Sequence, residues 1–198
     1  MEAREARLAA VIGGVMQQAL DDARAPALVL IDDGSPEAVL VERLLAPVLA
    51  DRFGVLSADG ATPAELLRAW ARVAATRPGA LVAVAANKTA ALLGGALPGP
   101  LLPLGDVWAT QVAELAGGWS APERVRALAH AAGGIEPLDR ALQACVDRRQ
   151  PAADAFAGLP EGQRGTLLAL WEDTRFARRR LGLVPKLGTR TIGTDLFD

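Results

Sequence analysis

The alternation of apolar and polar positions sets out a chain in which short strands alternate with helices. Over residues 2–23, Leu8, Ile12, Val15, Met16, Ala19 and Leu20 fall on one stripe at helical spacing, which predicts an amphipathic helix closed by Pro26. Residues 27–31 read ALVLI, a wholly apolar run suited to a strand buried on both faces. Asp32-Asp33-Gly34 turns the chain, and Ser35 is placed to cap a helix that starts at Pro36 and runs to about Leu49. A second short strand is predicted at 53–56. Thr62-Pro63-Ala64-Glu65 is a capping-box pattern opening a helix to about Ala75, and residues 80–86, ALVAVAA, form a third apolar run.

The remainder reads as helix after helix. Asn87 is expected to cap a short helix ending near Gly94-Gly95, and Asp106 to cap another reaching Ala116. Ser120-Ala121-Pro122-Glu123 reads as a second capping box. Further helix extends to about Leu181, broken at Gly133-Gly134, Pro151 and Leu159-Pro160, with an irregular tail over 182–198. Strands alternating with helices imply an α/β fold: a short parallel sheet in a three-layer, Rossmann-like arrangement, followed by a mostly helical second half. Ligands on such sheets sit beyond the carboxyl ends of the strands. Here that edge is 32–37, 57–60 and 85–89.

Composition narrows the function classes. The 198 residues suit a single domain, and 51% hydrophobic against 22% charged excludes disorder for most of the chain. A formal charge of −2 gives no reason to expect nucleic acid as a partner. The single cysteine, Cys145, allows no internal disulfide and reads as core, and one histidine makes a histidine-based zinc site improbable. His130 reads as a partly buried or capping residue. No segment reaches the length of a membrane span, and the opening MEAREARLAAVIGGV lacks the pattern of a secretory leader. A cytoplasmic setting and no membrane partner are therefore expected. No Ser-His-Asp or Cys-His constellation assembles from one histidine, and no catalytic residue is assigned.

Two stretches carry a resemblance. LVAVAANKTAALLGG, residues 81–95, is similar to the strand, G-T-x-N-K-[ST]-E element and helix of the NAD synthetases, both ammonia-dependent and glutamine-dependent, within the PP-loop superfamily of adenine-nucleotide alpha-hydrolase-like proteins. PLGDVWATQVAELAG, residues 103–117, is similar to that family's P-[IL]-x-D-[LV]-x-K-T-Q-V-x-x-L-A. GIEPLDRALQACVDRR resembles its Y-x-x-[IL]-D-x-x-L region, and RFARRRLGLVPK its basic stretch near the carboxyl end. The resemblance implies an enzyme that adenylates nicotinate adenine dinucleotide with ATP and magnesium, then lets ammonia displace AMP to form NAD. It also implies a homodimer with a nucleotide or dinucleotide ligand. It puts candidate nucleotide contacts at Gly34, Ser35, Asn87, Lys88, Thr89 and Thr110.

The chemistry residues of that pattern are largely replaced. Where the family has S-G-G-x-D-S, this chain has Asp32-Asp33-Gly34-Ser35-Pro36-Glu37. Only the glycine is kept, Pro36 stands at the metal-binding aspartate, and it removes an N–H from the helix start. Asp32, Asp33 and Glu37 place negative charge where an anion should sit. Two unit charges 4 Å apart repel by about 4 kcal/mol at an effective dielectric of about 20, against at most about 2 kcal/mol from the helix terminus. A magnesium ion on Asp32 and Asp33 would reverse that sign, so a metal site there stands beside the plainer reading of a solvated strand-end turn. Ala90 replaces the magnesium-binding glutamate, and Ala109 the phosphate-contacting lysine. Asn87 reads equally as a helix cap, Asp106 as a cap rather than a ligand, and Lys88 as a surface lysine. The leading expectation is a catalytically impaired, structural or regulatory homologue. A working synthetase with an unorthodox phosphate loop and an adenine-nucleotide sensor stand as alternatives. The basic run Arg175 to Arg190 reads either as dipole compensation or as an anion or partner contact.

Overall fold

The computed structural model describes residues 2–58, 63–94, 101–178 and 182–187. Helix α1 (Glu2–Asp22) leads into strand β1 (Leu28–Asp32), helix α2 (Pro36–Leu49), strand β2 (Phe53–Ser57), helix α3 (Pro63–Thr76) and strand β3 (Leu81–Val84). The three strands are parallel in the order β2-β1-β3, with Leu30 of β1 opposite Val55 on one side and Ala83 on the other. The third strand stops at Val84 rather than Ala86, because the Ala86 N–H turns back onto the Val84 carbonyl. The Thr62 cap lies outside the described residues.

Period-two alternation on β1 builds the layers. Leu28 and Leu30 point to one face, where Ile12, Met16 and Leu20 of α1 meet Leu40 and Leu44 of α2. Val29 and Ile31 point to the other, against Ala69 and Val73 of α3. The central strand is buried on both faces from Leu28 to Ile31, which is why those four residues are apolar. The three-layer α/β arrangement expected from the sequence is thus present, and the edge beside β3 is extended by backbone bonds to Leu101 and then from Leu102 to Leu183.

The second half is helical: α4 (Lys88–Leu92), α5 (Ala109–Ala116), α6 (Glu123–Ala131), α7 (Ile135–Val146), α8 (Ala152–Ala155), α9 (Glu161–Asp173) and α10 (Arg175–Arg178). It has its own core of Leu92, Val125, Leu142, Phe156 and Leu167, with the Phe156 and Trp171 rings meeting edge to face at 6.1 Å. Cys145 is half-buried against this core, and burial pushes its thiol up to about 11. Arg178 is buried rather than part of a solvated basic face. Its guanidinium donates to the carbonyls of Leu92 and Trp171 and stacks on the Trp171 ring at 3.9 Å, and burial lowers its pKa to about 10. Arg179, Arg180 and Arg190 lie outside the described residues. His130 is exposed in the last turn of α6, neither buried nor capping.

Candidate functional site

A cleft of about 640 Å³ opens at the carboxyl ends of β1 and β3. Its floor is Gly34, Ser35 and Pro36 at the start of α2, with Ala85 and Ala86 after β3 and Ala90 of α4. Leu66 of α3 and Trp119 to Pro122 form its walls, and Glu123 and Arg126, paired to each other, stand at the rim.

The turn after β1 is closed on itself. Gly34 has φ +77°, the left-handed conformation that glycine adopts without strain. The Gly34 N–H donates to the Asp32 carboxylate at 2.9 Å, and the Ser35 N–H to the Asp33 carboxylate at 3.1 Å. Ser35 caps α2 as expected, its hydroxyl accepting the Ala38 N–H at 3.2 Å. The Val39 N–H bonds the Ser35 carbonyl, and Pro36 has no N–H. The backbone donors of Gly34, Ser35, Ala38 and Val39 are therefore held within the chain, two of them by carboxylates.

Glu37 does not face the cleft as a third exposed charge. It is fully buried, and its carboxylate accepts from Asn87 Nδ2 at 2.7 Å and from both the backbone N–H and the hydroxyl of Ser120. Desolvation by burial raises its pKa above the ordinary 4.5 despite these donors. Ser120 accordingly caps nothing, and α6 begins after Pro122 without a side-chain cap. Asn87 does cap α4, accepting the Ala90 N–H at 2.9 Å, while its amide nitrogen reaches Glu37 and the Ser120 carbonyl.

Behind α4, Thr89 and Thr110 converge on Asp139 of α7. The Thr89 hydroxyl donates to one carboxylate oxygen and the Thr110 N–H to the other at 2.8 Å, while the Ala109 N–H donates to Thr89. Burial raises the Asp139 pKa above 3.8. Neither Thr89 nor Thr110 lines the cleft. Asp139 was unassigned at the sequence level, although the P-L-D of the third resembling stretch pointed to its position.

Lys88 points away from the cleft and is buried, 1% exposed, not a surface lysine. Its ammonium lies 2.7 Å from Asp106 and 4.7 Å from the centre of the Trp108 ring. Asp106 is correspondingly no cap: α5 starts after Trp108, whose N–H is taken by the Gln111 side chain, and Asp106 accepts instead from the Leu187 N–H at 2.7 Å.

Of the predicted site residues, the structure thus brings Asp33, Gly34 and Ser35 to the cleft, with Asp32 beside them in the same turn, and turns Lys88, Thr89 and Thr110 into other networks. Among the described residues, no group of three or more His, Cys, Asp or Glu side chains is placed to hold a metal. No helix among them is long and apolar enough to cross a membrane.

No protein-family model matches the sequence, and no curated protein matches it. Solved structures do resemble it. The NH3-dependent NAD synthetase from Campylobacter jejuni subsp. jejuni NCTC 11168, in complex with the nitrate ion, superposes with a TM-score of 0.58 at 15% identity, over 86% of this chain and 94% of that one. The glutamine-dependent NAD+ synthetase from Acinetobacter baumannii, in complex with ADP, superposes with a TM-score of 0.45 at 17% identity, over 96% of this chain and 48% of that one. The chain has the α/β fold of an NH3-dependent NAD synthetase, with the three-stranded sheet and helical second half that the sequence motifs led us to expect.

Proposed function

We propose that this protein is an NAD synthetase-like homologue whose ATP and magnesium site is degenerate, so that it is catalytically impaired and acts as a structural or regulatory protein. The observation that carries this reading is the closed turn after β1. A phosphate bound at a helix start needs N–H groups directed at it and a field free of fixed negative charge. Here the Gly34 and Ser35 N–H groups are already donated to Asp32 and Asp33, and Pro36 contributes none. Magnesium is commonly held by one or two carboxylates together with substrate phosphates. The acids are present at Asp32 and Asp33, but the phosphate half of such a site lacks its grip, and Ala90 presents a methyl group to the cleft where the resemblance calls for a glutamate. This donor set does not fit a magnesium–triphosphate.

The open cleft itself favours a second reading, an adenylate sensor that binds without turnover: about 640 Å³ is within the range of small-molecule sites. Calorimetric titration with magnesium-ATP and with ATP in chelator tests both. No binding above the millimolar range supports the degenerate homologue. Metal-independent binding supports the sensor, and tight magnesium-dependent binding contradicts both. We further propose a homodimer as the working form, supported by the exposed Val39 and Val48 on α2.

A further inference from the structure

We propose that a second cleft, on the opposite side of α4 from the first, binds a small organic anion: a carboxylate or phosphate head on an apolar body. This cleft encloses about 450 Å³ and lies between α1, the start of α5 and the 182–187 segment. The inference does not depend on whether the first cleft is degenerate.

One face of α1 supplies a wall. Arg4, Arg7, Leu8 and Val11 follow the i, i+3, i+4, i+7 spacing that places side chains in one helical stripe, and all four line the cleft. The stripe pairs two guanidinium groups with two aliphatic side chains. Val11 stays 37% exposed there, in a helix whose neighbouring stripe, Ile12 and Met16, is completely buried. Lys186 stands on the facing wall, and Trp108 adds an indole. Beneath the floor lies the Lys88 ammonium, and the two acids among the described lining residues, Asp106 and Asp147, approach it at 2.7 and 3.6 Å. The described lining residues therefore carry four basic side chains and two acidic ones, in a chain whose formal charge is −2. Arg4 also pairs with Glu114 outside the cleft.

Such a lining favours a particular chemistry. A cleft with low-dielectric walls and a net excess of one sign of charge concentrates counter-ions. Guanidinium groups suit the planar carboxylate or the phosphate oxygens in a two-pronged geometry, and Arg4 and Arg7 are one helical turn apart. Leu8, Val11 and Trp108 offer area to an apolar body. The volume suits a ligand of small-metabolite size.

The test is calorimetric titration of the full chain with phenyl phosphate, benzoate and inorganic phosphate, alongside the NMR indole N–H signal of Trp108, assigned with Trp108→Phe. The expected result is one saturable site for phenyl phosphate or benzoate, weaker binding of inorganic phosphate, and a shift of the Trp108 signal on saturation. Binding weakens at higher salt. Arg7→Glu combined with Lys186→Glu, both exposed positions, lowers the affinity by about tenfold or more, the equivalent of about 1.4 kcal/mol. Arg126→Glu, at the first cleft, leaves it unchanged. Absence of saturable binding for both aromatic probes overturns the proposal. So does binding that survives the double reversal in a variant of unchanged Tm, or binding that Arg126→Glu weakens as much.

Discussion

Glu37 and Ser120 stand 83 positions apart and are joined by three hydrogen bonds: the Ser120 N–H reaches both carboxylate oxygens, at 2.9 and 3.0 Å, and the hydroxyl reaches Oε2 at 2.9 Å. Asn87 completes the set, so the first turn of α2, the cap of α4 and the wall of the cleft meet on one buried carboxylate. Removing it with Glu37→Ala leaves several buried donors without an acceptor and is expected to cost about 1–3 kcal/mol, read by urea denaturation.

The same carboxylate gives a pH dependence. Its folded pKa is raised above 4.5 by burial, so the folded state holds the proton more tightly than the unfolded chain. Its contribution to stability is then fullest below 4.5 and is lost as pH rises through the raised folded value. Glu37→Gln removes this titration and keeps one acceptor. The difference in unfolding free energy, wild type minus Glu37→Gln, should fall as pH is raised from below 4.5 towards neutral, while groups common to both proteins cancel. A flat or rising difference contradicts the assignment.

Lys88 and Asp106 form a buried pair, 1% and 0% exposed at their side chains. Breaking such a pair from one side leaves an uncompensated charge, so Lys88→Met should cost about 3–5 kcal/mol. Adding Asp106→Asn removes the orphaned charge yet retains an acceptor for the Leu187 N–H. The double variant is therefore expected to recover a substantial part of the loss in a double-mutant cycle.

Thr89 donates to Asp139 and accepts from the Ala109 N–H, tying α4, α5 and α7 together. Thr89→Val keeps the shape and loses both bonds, with an expected cost of about 1–3 kcal/mol in thermal or urea unfolding. Thr89→Ser should restore most of it, because the hydroxyl and not the methyl makes the connection.

These networks mark where sequence reading stops. The strands at 28–32 and 53–57, the cap at Ser35 and the cap at Asn87 were legible because apolar runs and capping residues act over a few neighbouring positions. Lys88 was read as a surface lysine and Glu37 as a charge at the anion site, because charged side chains are usually exposed. Their burial depends on Asp106, Asn87 and Ser120, which lie 18, 50 and 83 positions away and carry no local signature. Asp106 and Ser120 were read as caps for the same reason: the short-range pattern is satisfied, but a distant partner takes the side chain. The cleft at the strand ends was legible from topology, whereas the closing of its turn by Asp32 and Asp33 needed coordinates.

That closing is reversible by substitution. Asp32→Ser with Asp33→Gly frees the Gly34 and Ser35 N–H groups and removes two charges, while leaving Glu37 in its buried role. Calorimetry should find nucleotide triphosphate binding stronger in this variant than in the wild type. Equal or weaker binding would show that the acids do not block the site.

One assay decides whether the phosphate site is degenerate: NAD formation by the unmodified protein, supplied with nicotinate adenine dinucleotide, ammonia, ATP and magnesium, measured together with release of pyrophosphate. The degenerate site predicts no NAD and no pyrophosphate above the protein-free control. Steady, protein-dependent formation of both would contradict it and make the chain a working synthetase with an unorthodox phosphate loop.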